Sequence, residues 1–269
     1  MNARDGEAVD GDTTITVDGD MVLKVHRAGT DPQDLAVRLR IAKESGCLLT
    51  PLSIHPEVIT ATAGARWRTR WPRVHPIPQR PEALPWPEAG ALLAALHRAP
   101  LSAGDDVPVH GAVRNLQRAL DGLPAGAPAA IRQAATALAP RAWRTATPGR
   151  PLTLVHGDFH LGQLGRAADG ELLLFDVDDL GAGDPAWDLA RPAGFWASGL
   201  IPDVDWRAFL TAYRRAGGPA VPASGDPWPA LEPHARAAVV QAAAAGAARS
   251  ALDETQTALV ASCARMPSS

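Results

Sequence analysis

The chain has 269 residues, of which 46% are hydrophobic, and its 26 lysines and arginines nearly balance 29 aspartates and glutamates, leaving a net charge of −3. A chain of this length and hydrophobic content can bury a core in one large or two small domains, which excludes a disordered protein. The balanced charge gives no general attraction to nucleic acid or to an anionic membrane surface. We therefore expect a small-molecule partner, no nucleic acid and no membrane, in a monomer or homodimer.

The two cysteines, Cys47 and Cys263, are far apart in the sequence. Two such thiols are neither a disulfide framework nor a cysteine-based zinc site. The acidic, polar start of the chain does not resemble a secretory signal, and the most apolar run, at 237–248, is mostly alanine and too short to span a bilayer. These features predict a cytoplasmic protein.

The first part of the chain predicts a small sheet with one helix. Residues 13–26 alternate between apolar and polar around an Asp-Gly pair at 18–19, which is a strong hairpin signal. Residues 31–45 predict a helix that begins with an aspartate N-cap followed by a proline. Residues 57–62 and 66–71 predict a second hairpin, so the order is ββαββ.

The stretch from Trp71 to Pro87 contains six prolines, a density that the interior of a strand or helix does not tolerate. It predicts a linker between an N-terminal lobe, residues 1–75, and a larger, mainly helical lobe, residues 76–269. Further helices are predicted at 88–98, 111–121, 128–138, 205–216, 230–247 and 249–264. The fold class is therefore α+β.

Reactive side chains are densest between His156 and Asp188. A short apolar strand at 151–155 runs into the sequence HGDFHLGQ, and a second strand at 172–175 runs into DVDD. Each strand thus ends in a loop that carries carboxylates.

An Asp-Gly turn at 169–170 is predicted to fold these two strands against each other. Gln163 and Asp176 should then lie close together. Carboxylate and amide oxygens are hard ligands that suit Mg²⁺. Asp158, slightly upstream of Gln163, is placed to present a second carboxylate to a substrate hydroxyl.

Three motifs in this region, HGDFHLGQ, LLLFDVDD and GDPAWDLA, resemble the catalytic signature of aminoglycoside phosphotransferases and choline-kinase-like enzymes, which are relatives of the protein kinases. The resemblance is close over 154–190 and looser for VLKV at 22–25 and the helix that follows. It implies a two-lobed, protein-kinase-like fold. It also implies a phosphotransferase that uses ATP, or GTP as an alternative, and acts on a small hydroxylated molecule such as a sugar, an amino sugar or an aminoglycoside-like antibiotic.

The resemblance implies a role for each matching residue. Asp158 would orient the attacking hydroxyl and accept its proton, Gln163 and Asp176 would hold Mg²⁺, and Lys24 would contact the α- and β-phosphates. Lys24 is one of only two lysines among the 26 basic residues, which favours a task that needs a compact ammonium. Two further carboxylates would brace the catalytic loop, Asp184 and Asp188.

The nucleotide site departs from the family pattern. Gln163 replaces the usual Asn, as in the similar HLGQ forms of actinobacterial maltose- and glucosamine-kinase-like members. The glycine-rich loop over the phosphates is reduced to residues 11–14, where Thr14 would contact the nucleotide. The acid that pairs with Lys24 would be Asp34, with Glu44 as the fallback. These departures predict weak nucleotide affinity.

The proline-rich segment would contact the nucleotide base through Trp71 and Val74, although Trp71, like Trp67 and Trp86, is equally well explained as core. His156 is interpreted as a structural histidine behind the loop and His160 as a local hydrogen-bond partner. Two neighbouring carboxylates, Asp178 and Asp179, would either meet a cationic substrate or be solvated turn residues, and the second interpretation is favoured.

Two rival functions come from other classes. One is a catalytically silent kinase fold that acts as a binding module, which the departures at Gln163 and Asp34 favour. The other is a metal-dependent hydrolase whose ligands would be His156, Asp158, His160 and Asp176.

Overall fold

The structure is a computed structural model that describes residues 7–10, 13–61, 64–78, 80–101, 107–249 and 253–266. The chain forms two compact units. The first contains the described residues of 1–84, 102–108 and 161–178, and the second contains those of 85–101, 109–160 and 179–269. The two units alternate along the chain, so a single cut such as the one predicted at 75/76 does not separate them.

The first unit is built on a five-stranded antiparallel sheet with the strand order β1-β2-β3-β5-β4. Its strands are β1 (Glu7–Asp10), β2 (Thr13–Asp18), β3 (Met21–Val25), β4 (Glu57–Ala61) and β5 (Gly64–Pro72). Both predicted hairpins are confirmed, β2–β3 and β4–β5. Gly19, with a φ of 59°, supplies the left-handed turn between β2 and β3. Strand β1 is an addition to the predicted ββαββ order.

Helix α1 (Pro32–Glu44) lies in the first unit and begins as predicted. The Asp31 side chain accepts hydrogen bonds from the backbone N–H groups of Gln33 and Asp34, which otherwise have no partner at a helix start. Its fully buried residues recur at helical spacing, Leu35, Leu39 and Ala42. The helix therefore buries one apolar face.

The remaining strands are β6 (His75–Pro76), β7 (Thr153–Val155), β8 (Leu164–Arg166), β9 (Leu172–Leu174) and β10 (Gly181–Gly183). Strands β6, β8 and β9 form a small sheet in the first unit. On its other edge β9 pairs with residues 47–49, where Leu49 N–H donates to Leu174 O at 2.7 Å. In the second unit β7 pairs with β10.

The predicted pairing of 151–155 with 172–175 is wrong. The turn at 169–170 joins β9 to β8, a strand that the sequence analysis did not predict, because the few residues from Ala167 to Glu171 span only adjacent antiparallel strands. Gln163, which directly precedes β8, nevertheless lies next to the start of the segment that follows β9, as described below.

The second unit is mainly helical. Its helices are α2 (Trp86–Arg98), α3 (Ala112–Asp121), α4 (Ala129–Thr136), α5 (Ala186–Ala197), α6 (Asp203–Arg215), α7 (Trp228–Ala248) and α8 (Glu254–Arg265). The predicted helices are confirmed, although α8 begins later than the predicted residue 249. The proline-rich segment is partly structured, since Pro72 ends β5 and Pro87 lies in the first turn of α2, where proline is tolerated.

Helix α7 lies at the centre of the second unit and packs against α3, α4, α5 and α8. Small residues allow close approach, because a Cβ on Gly194 of α5 would lie 2.7 Å from the Ala235 carbonyl oxygen of α7. Among the helices of the described residues, none has the length and apolar character needed to cross a membrane. Cys47 and Cys263 are buried free thiols.

Candidate active site

Lys24 lies in the middle of β3, and its side chain is only 9% exposed. Its ammonium Nζ donates to Asp176 Oδ1 at 2.6 Å and lies 3.0 Å from Asp178 Oδ2. Burial acts to lower the pKa of Lys24, but the two carboxylates outweigh burial and raise this pKa. Lys24 is therefore a fixed positive charge at neutral pH.

Asp178 is held from two sides. While one of its oxygens faces Lys24, the other lies 3.0 Å from Nδ1 of His26, a fully buried histidine that directly follows β3. Burial acts to raise the pKa of Asp178, yet Lys24 and His26 together lower it. The interpretation of Asp178 as a solvated turn residue is therefore wrong.

Gln163 and Asp176 meet at the open end of the β8–β9 hairpin, as predicted. Phe175 N–H donates to Gln163 O at 3.0 Å, next to the last pair of the ladder. Asp176 has a φ of 65°, in the left-handed region that residues other than glycine rarely adopt. Such a conformation in a residue with a charged side chain is common at functional sites.

The residues at this end of the hairpin fit a magnesium ion. A carboxylate and an amide oxygen are hard ligands, and the Asp176 side chain is one-third exposed while Gln163 is half-buried. Magnesium commonly takes one or two such protein ligands and completes its shell with phosphate oxygens and water.

The predicted acid partner of Lys24 does not contact it. Asp34 lies in the first turn of α1, about half-exposed, and its carboxylate is 3.9 Å from Nη2 of Arg38. The fallback Glu44 is exposed at the end of α1. The structure pairs Lys24 with Asp176 and Asp178 instead, because β3 faces the residues that follow β9.

Three other residues were predicted to contact the nucleotide. Thr14 is half-buried on β2, opposite Val25. Trp71 is 6% exposed and donates its Nε1–H to Thr69 Oγ1 at 2.8 Å. Val74 is half-buried against Gly165. Residues 11 and 12 of the predicted phosphate loop lie outside the described residues.

In the second unit, Asp158 belongs to the loop that follows β7. The Asp188 carboxylate on α5 fixes this loop, because it accepts hydrogen bonds from the backbone N–H groups of His156 at 2.6 Å and Gly157 at 2.9 Å. Asp188 also lies 3.0 Å from Nε2 of His97. Burial acts to raise the pKa of Asp188, but these hydrogen bonds, His97 first, lower it. The predicted bracing role of Asp188 is confirmed.

The Asp158 side chain is half-buried, with its carboxylate 3.8 Å from Nη1 of Arg191 on α5. Burial, followed by the charges of Arg191 and His156, lowers the pKa of His160 to about 3. His160 is therefore neutral at neutral pH. His156 is fully buried, as expected of a structural histidine.

Asp184 and Asp179 stabilise the second unit elsewhere. Asp184 does not hold the catalytic loop, contrary to the prediction, but accepts from the Arg150 guanidinium at 3.0 Å and from Ala186 N–H at 2.9 Å. Asp179 is 8% exposed and accepts from Asn115 Nδ2 at 2.7 Å. The interpretation of Asp179 as a solvated turn residue is also wrong.

The rival hydrolase requires histidine and carboxylate side chains that converge on one metal ion. Within the part of the chain that the structure describes, no three histidine, cysteine, aspartate or glutamate side chains converge on a point that could hold a metal ion.

Sequence analysis missed His26 and Asp178. The signal was present in two matching spacings, since Lys24 and His26 are two residues apart, as are Asp176 and Asp178. Lys24 and His26 are alternate residues at the end of extended β3 and so point to the same side, whereas Asp176 and Asp178 face them from a non-extended segment in which Asp176 is left-handed.

Comparison with known proteins identifies a family. Residues 13–234 match the family described as APH, phosphotransferase enzyme family. No curated protein matches significantly by sequence.

Solved structures with similar folds include several small-molecule kinases. One is a choline/ethanolamine kinase family protein from Mesorhizobium loti, with a TM-score of 0.57 and 20% sequence identity. The match covers 97% of this chain and 85% of that protein. The choline kinase LicA from Streptococcus pneumoniae has a TM-score of 0.63 and 14% sequence identity, and the match covers 98% of this chain and 93% of LicA. LicA has also been solved in complex with AMP. A microcompartment-associated aminopropanol kinase has a TM-score of 0.59 and 16% sequence identity, and the match covers 96% of this chain and 88% of that kinase. These likenesses confirm the two-lobed, kinase-like α+β fold.

Proposed function

The chain belongs to the phosphotransferase enzyme family, and from that premise we propose that it transfers the γ-phosphate of ATP, in the presence of Mg²⁺, to a hydroxyl group of a small molecule. Membership makes the chain a small-molecule kinase with an alcohol group as acceptor. The proposal adds ATP as the donor, with GTP as the alternative, and Mg²⁺ as the metal. It also adds the acceptor class, which is a sugar, an amino sugar or an aminoglycoside-like antibiotic.

The ion pair between Lys24 and Asp176 carries the proposal. A fixed ammonium lies 2.6 Å from a carboxylate, and the backbone of Gln163 lies at the neighbouring strand end. Lys24 supplies a group for phosphate oxygens, and Asp176 and Gln163 supply the side-chain types that a cation needs. Phosphoryl transfer needs positioning and charge neutralisation more than covalent chemistry from the protein. The AMP complex of LicA, a protein of the same fold, supports a nucleotide as the donor.

Lys24, Asp176 and Gln163 of the first unit have separate tasks in the proposed reaction. Lys24 binds the α- and β-phosphate oxygens, and Asp176 and Gln163 hold the metal. When bound, Mg²⁺ neutralises charge on the β- and γ-phosphates. Thr14, Trp71 and Val74 are assigned to nucleotide contacts on the basis of the family pattern, and Asp34 is not retained as the partner of Lys24.

Asp158 acts on the acceptor in the second unit. The acceptor hydroxyl donates to the Asp158 carboxylate, which takes the proton as the oxygen forms its bond to the γ-phosphorus. The bond from that phosphorus to the β,γ-bridging oxygen breaks, and the nucleoside diphosphate leaves. Asp188 keeps Asp158 in place through the backbone of His156 and Gly157. His160 takes no proton because its pKa is low.

The experiment that tests this function is detection of a phosphorylated product by mass spectrometry. Purified protein is incubated with MgATP or MgGTP and a panel of sugars, amino sugars, aminoglycosides, nucleosides, choline and amino alcohols. A product that forms with the wild type and is lost in Asp158→Asn is the expected result. Product that persists in Asp158→Asn would overturn the assigned role of this residue.

A negative panel is resolved by nucleotide binding. If MgATP raises the melting temperature but no product forms, the acceptor lies outside the panel and the donor part of the proposal stands. If no nucleotide binds, the chain acts as a silent member of the fold and the proposed function is wrong.

A further inference from the structure

A series of buried polar side chains runs through the first unit and ends at Lys24. Trp71 donates its Nε1–H to Thr69 Oγ1 at 2.8 Å, and the same oxygen lies 2.8 Å from His26 Nε2. His26 Nδ1 lies 3.0 Å from Asp178 Oδ1, and Asp178 Oδ2 lies 3.0 Å from Lys24 Nζ. The function proposed above uses Lys24 but gives His26, Thr69 and Asp178 no task.

Lys24 needs a carboxylate that stays with it when the nucleotide binds. Asp176 is its nearer partner, but the same carboxylate is the proposed metal ligand, and an oxygen that binds a cation is less available to an ammonium. Asp178 is the more enclosed of the two, with a side chain 14% exposed against 33% for Asp176. Asp178 is therefore the carboxylate that can remain on Lys24.

His26 fixes the orientation of Asp178. The Trp71 indole can only donate, so Thr69 Oγ1 accepts from it, and the same Thr69 hydroxyl forms a hydrogen bond with His26 Nε2. His26 Nδ1 lies 3.0 Å from Asp178 Oδ1, a contact at ion-pair distance that does not have hydrogen-bond geometry. Both oxygens of Asp178 thus lie within ion-pair distance of a basic side chain, and rotation of the carboxylate away from Lys24 would break these contacts.

We propose that Asp178, anchored by His26, is the positioning residue that holds Lys24 toward the phosphates of the nucleotide. The family pattern assigns this task to an acid on the helix after the lysine strand, but here Asp34 contacts Arg38. The phosphate part of the proposal rests on the proposed function. The immobilisation of Lys24 by Asp178 does not, so the two can fail separately.

The immobilisation is tested by NMR without any ligand. Because Lys24 and Lys43 are the only lysines, ¹³Cε-lysine labelling gives two signals, and Lys24→Met identifies them. In Asp178→Asn the Lys24 signal should shift and its relaxation should indicate faster side-chain motion, while exposed Lys43 stays unchanged. His26→Leu should change the Lys24 signal in the same direction. A Lys24 signal that is the same in wild type and both variants would overturn the proposal.

The effect on the nucleotide is tested by calorimetry and kinetics. Asp178→Asn should weaken MgATP binding about tenfold, the value of one charge-assisted hydrogen bond, and raise the KM for ATP while leaving the KM for the acceptor unchanged. A merely structural role would lower the melting temperature and the active fraction and leave both KM values alone. The matched control, Asp121→Asn at the exposed end of α3, should change neither.

A double-mutant cycle decides whether Asp178 acts through Lys24. In a Lys24→Met background, Asp178→Asn should weaken MgATP binding no further, because the group that it positions is already absent. Additive losses would overturn the proposal, as would an Asp34→Asn variant that alone reproduced the ATP-specific effect.

If Asp178→Asn does not fold, His26→Asn, which keeps a donor toward Asp178 but loses the link to Thr69, takes its place and should give a smaller change. If the wild type binds no nucleotide, the proposed function fails, and the NMR comparison alone decides whether Asp178 holds Lys24.

Discussion

The Asp188 carboxylate lies 2.9 Å from the backbone nitrogen of Gly157, although 31 residues separate them in the sequence. A carboxylate on α5 thereby fixes the backbone of the loop that carries Asp158. A charged group that accepts from two backbone N–H groups in a fully buried position makes hydrogen bonds roughly twice as strong as neutral ones. The loop is therefore held by a helix of the same unit and not by its own local contacts.

Asp188→Asn should destabilise the protein by about 3 kcal/mol, because one amide NH₂ must then face a backbone N–H or His97 in a buried site. The free energy of unfolding is measured by urea titration. Phosphotransfer, once an acceptor is known, should fall as well. Asp121→Asn, at an exposed helix end, should shift the urea midpoint little. Equal shifts in the two variants would contradict the bracing role.

Gly157→Ala should be far more destabilising than Gly170→Ala. Both glycines have positive φ angles, 83° and 89°. A Cβ at Gly157 would lie 2.2 Å from the Asp179 carbonyl oxygen, whereas one at Gly170 would meet nothing within 4 Å. We expect about 1 kcal/mol for Gly170→Ala, from backbone strain alone, and at least twice that for Gly157→Ala. Thermal unfolding of both variants checks this, and similar losses would show that the clash relaxes.

His234 should make the protein less stable in acid. Burial lowers its pKa from 6.5 to about 4, although Asp184 acts to raise it. Between those two values the unfolded chain binds a proton at His234 and the folded chain does not, so stability falls as the pH falls. The slope reaches about 1.4 kcal/mol per pH unit.

The test for His234 is a comparison with His234→Leu, which has no titrating group at this position beside Trp187. The free energy of unfolding is measured from pH 7 to pH 4 for both proteins. The difference between wild type and variant should change steadily across this window, to the disadvantage of the wild type at low pH. A constant difference would mean that the pKa of His234 is the same in the folded and unfolded chain.

Asp176→Asn should remove the stabilisation that MgATP gives. A ligand at 100 times its dissociation constant stabilises a protein by about 2.7 kcal/mol, which thermal unfolding detects. The variant loses the proposed metal ligand and one partner of Lys24, so its melting temperature should respond little to MgATP. Asp158→Asn, which changes the acceptor side, should keep the full response. The reverse pattern would exchange the two proposed roles.

Nucleotide affinity itself should be weak. The family pattern places an acid on α1 beside the lysine, and Asp34 does not reach it. Isothermal titration calorimetry with MgATP should give a dissociation constant above the low micromolar range. A tighter value would mean that Asp176 and Asp178 fully replace the missing helix acid.

Local patterns predicted most of the elements. The Asp-Gly pair before β3, the Asp31 N-cap and the apolar spacing of α1 act over a few residues, so they can be recognised without knowledge of the rest of the chain. The three motifs predicted the family for the same reason, since each combines several reactive residues at fixed spacing. The closeness of Gln163 and Asp176 followed even from an incorrect strand pairing, because one short hairpin connects them.

The sequence by itself therefore determined most of the elements, the family and the residues that carry the proposed chemistry. Only the tertiary structure decided which carboxylates hold Lys24, that His26 anchors Asp178, and that Asp188 and not Asp184 fixes the catalytic loop. The physical reason is distance along the chain: Lys24 and Asp176 are 152 positions apart. Such a charge pair forms only when strands that are distant in the sequence pack together in the fold. No local sequence pattern shows which carboxylate will then lie beside Lys24.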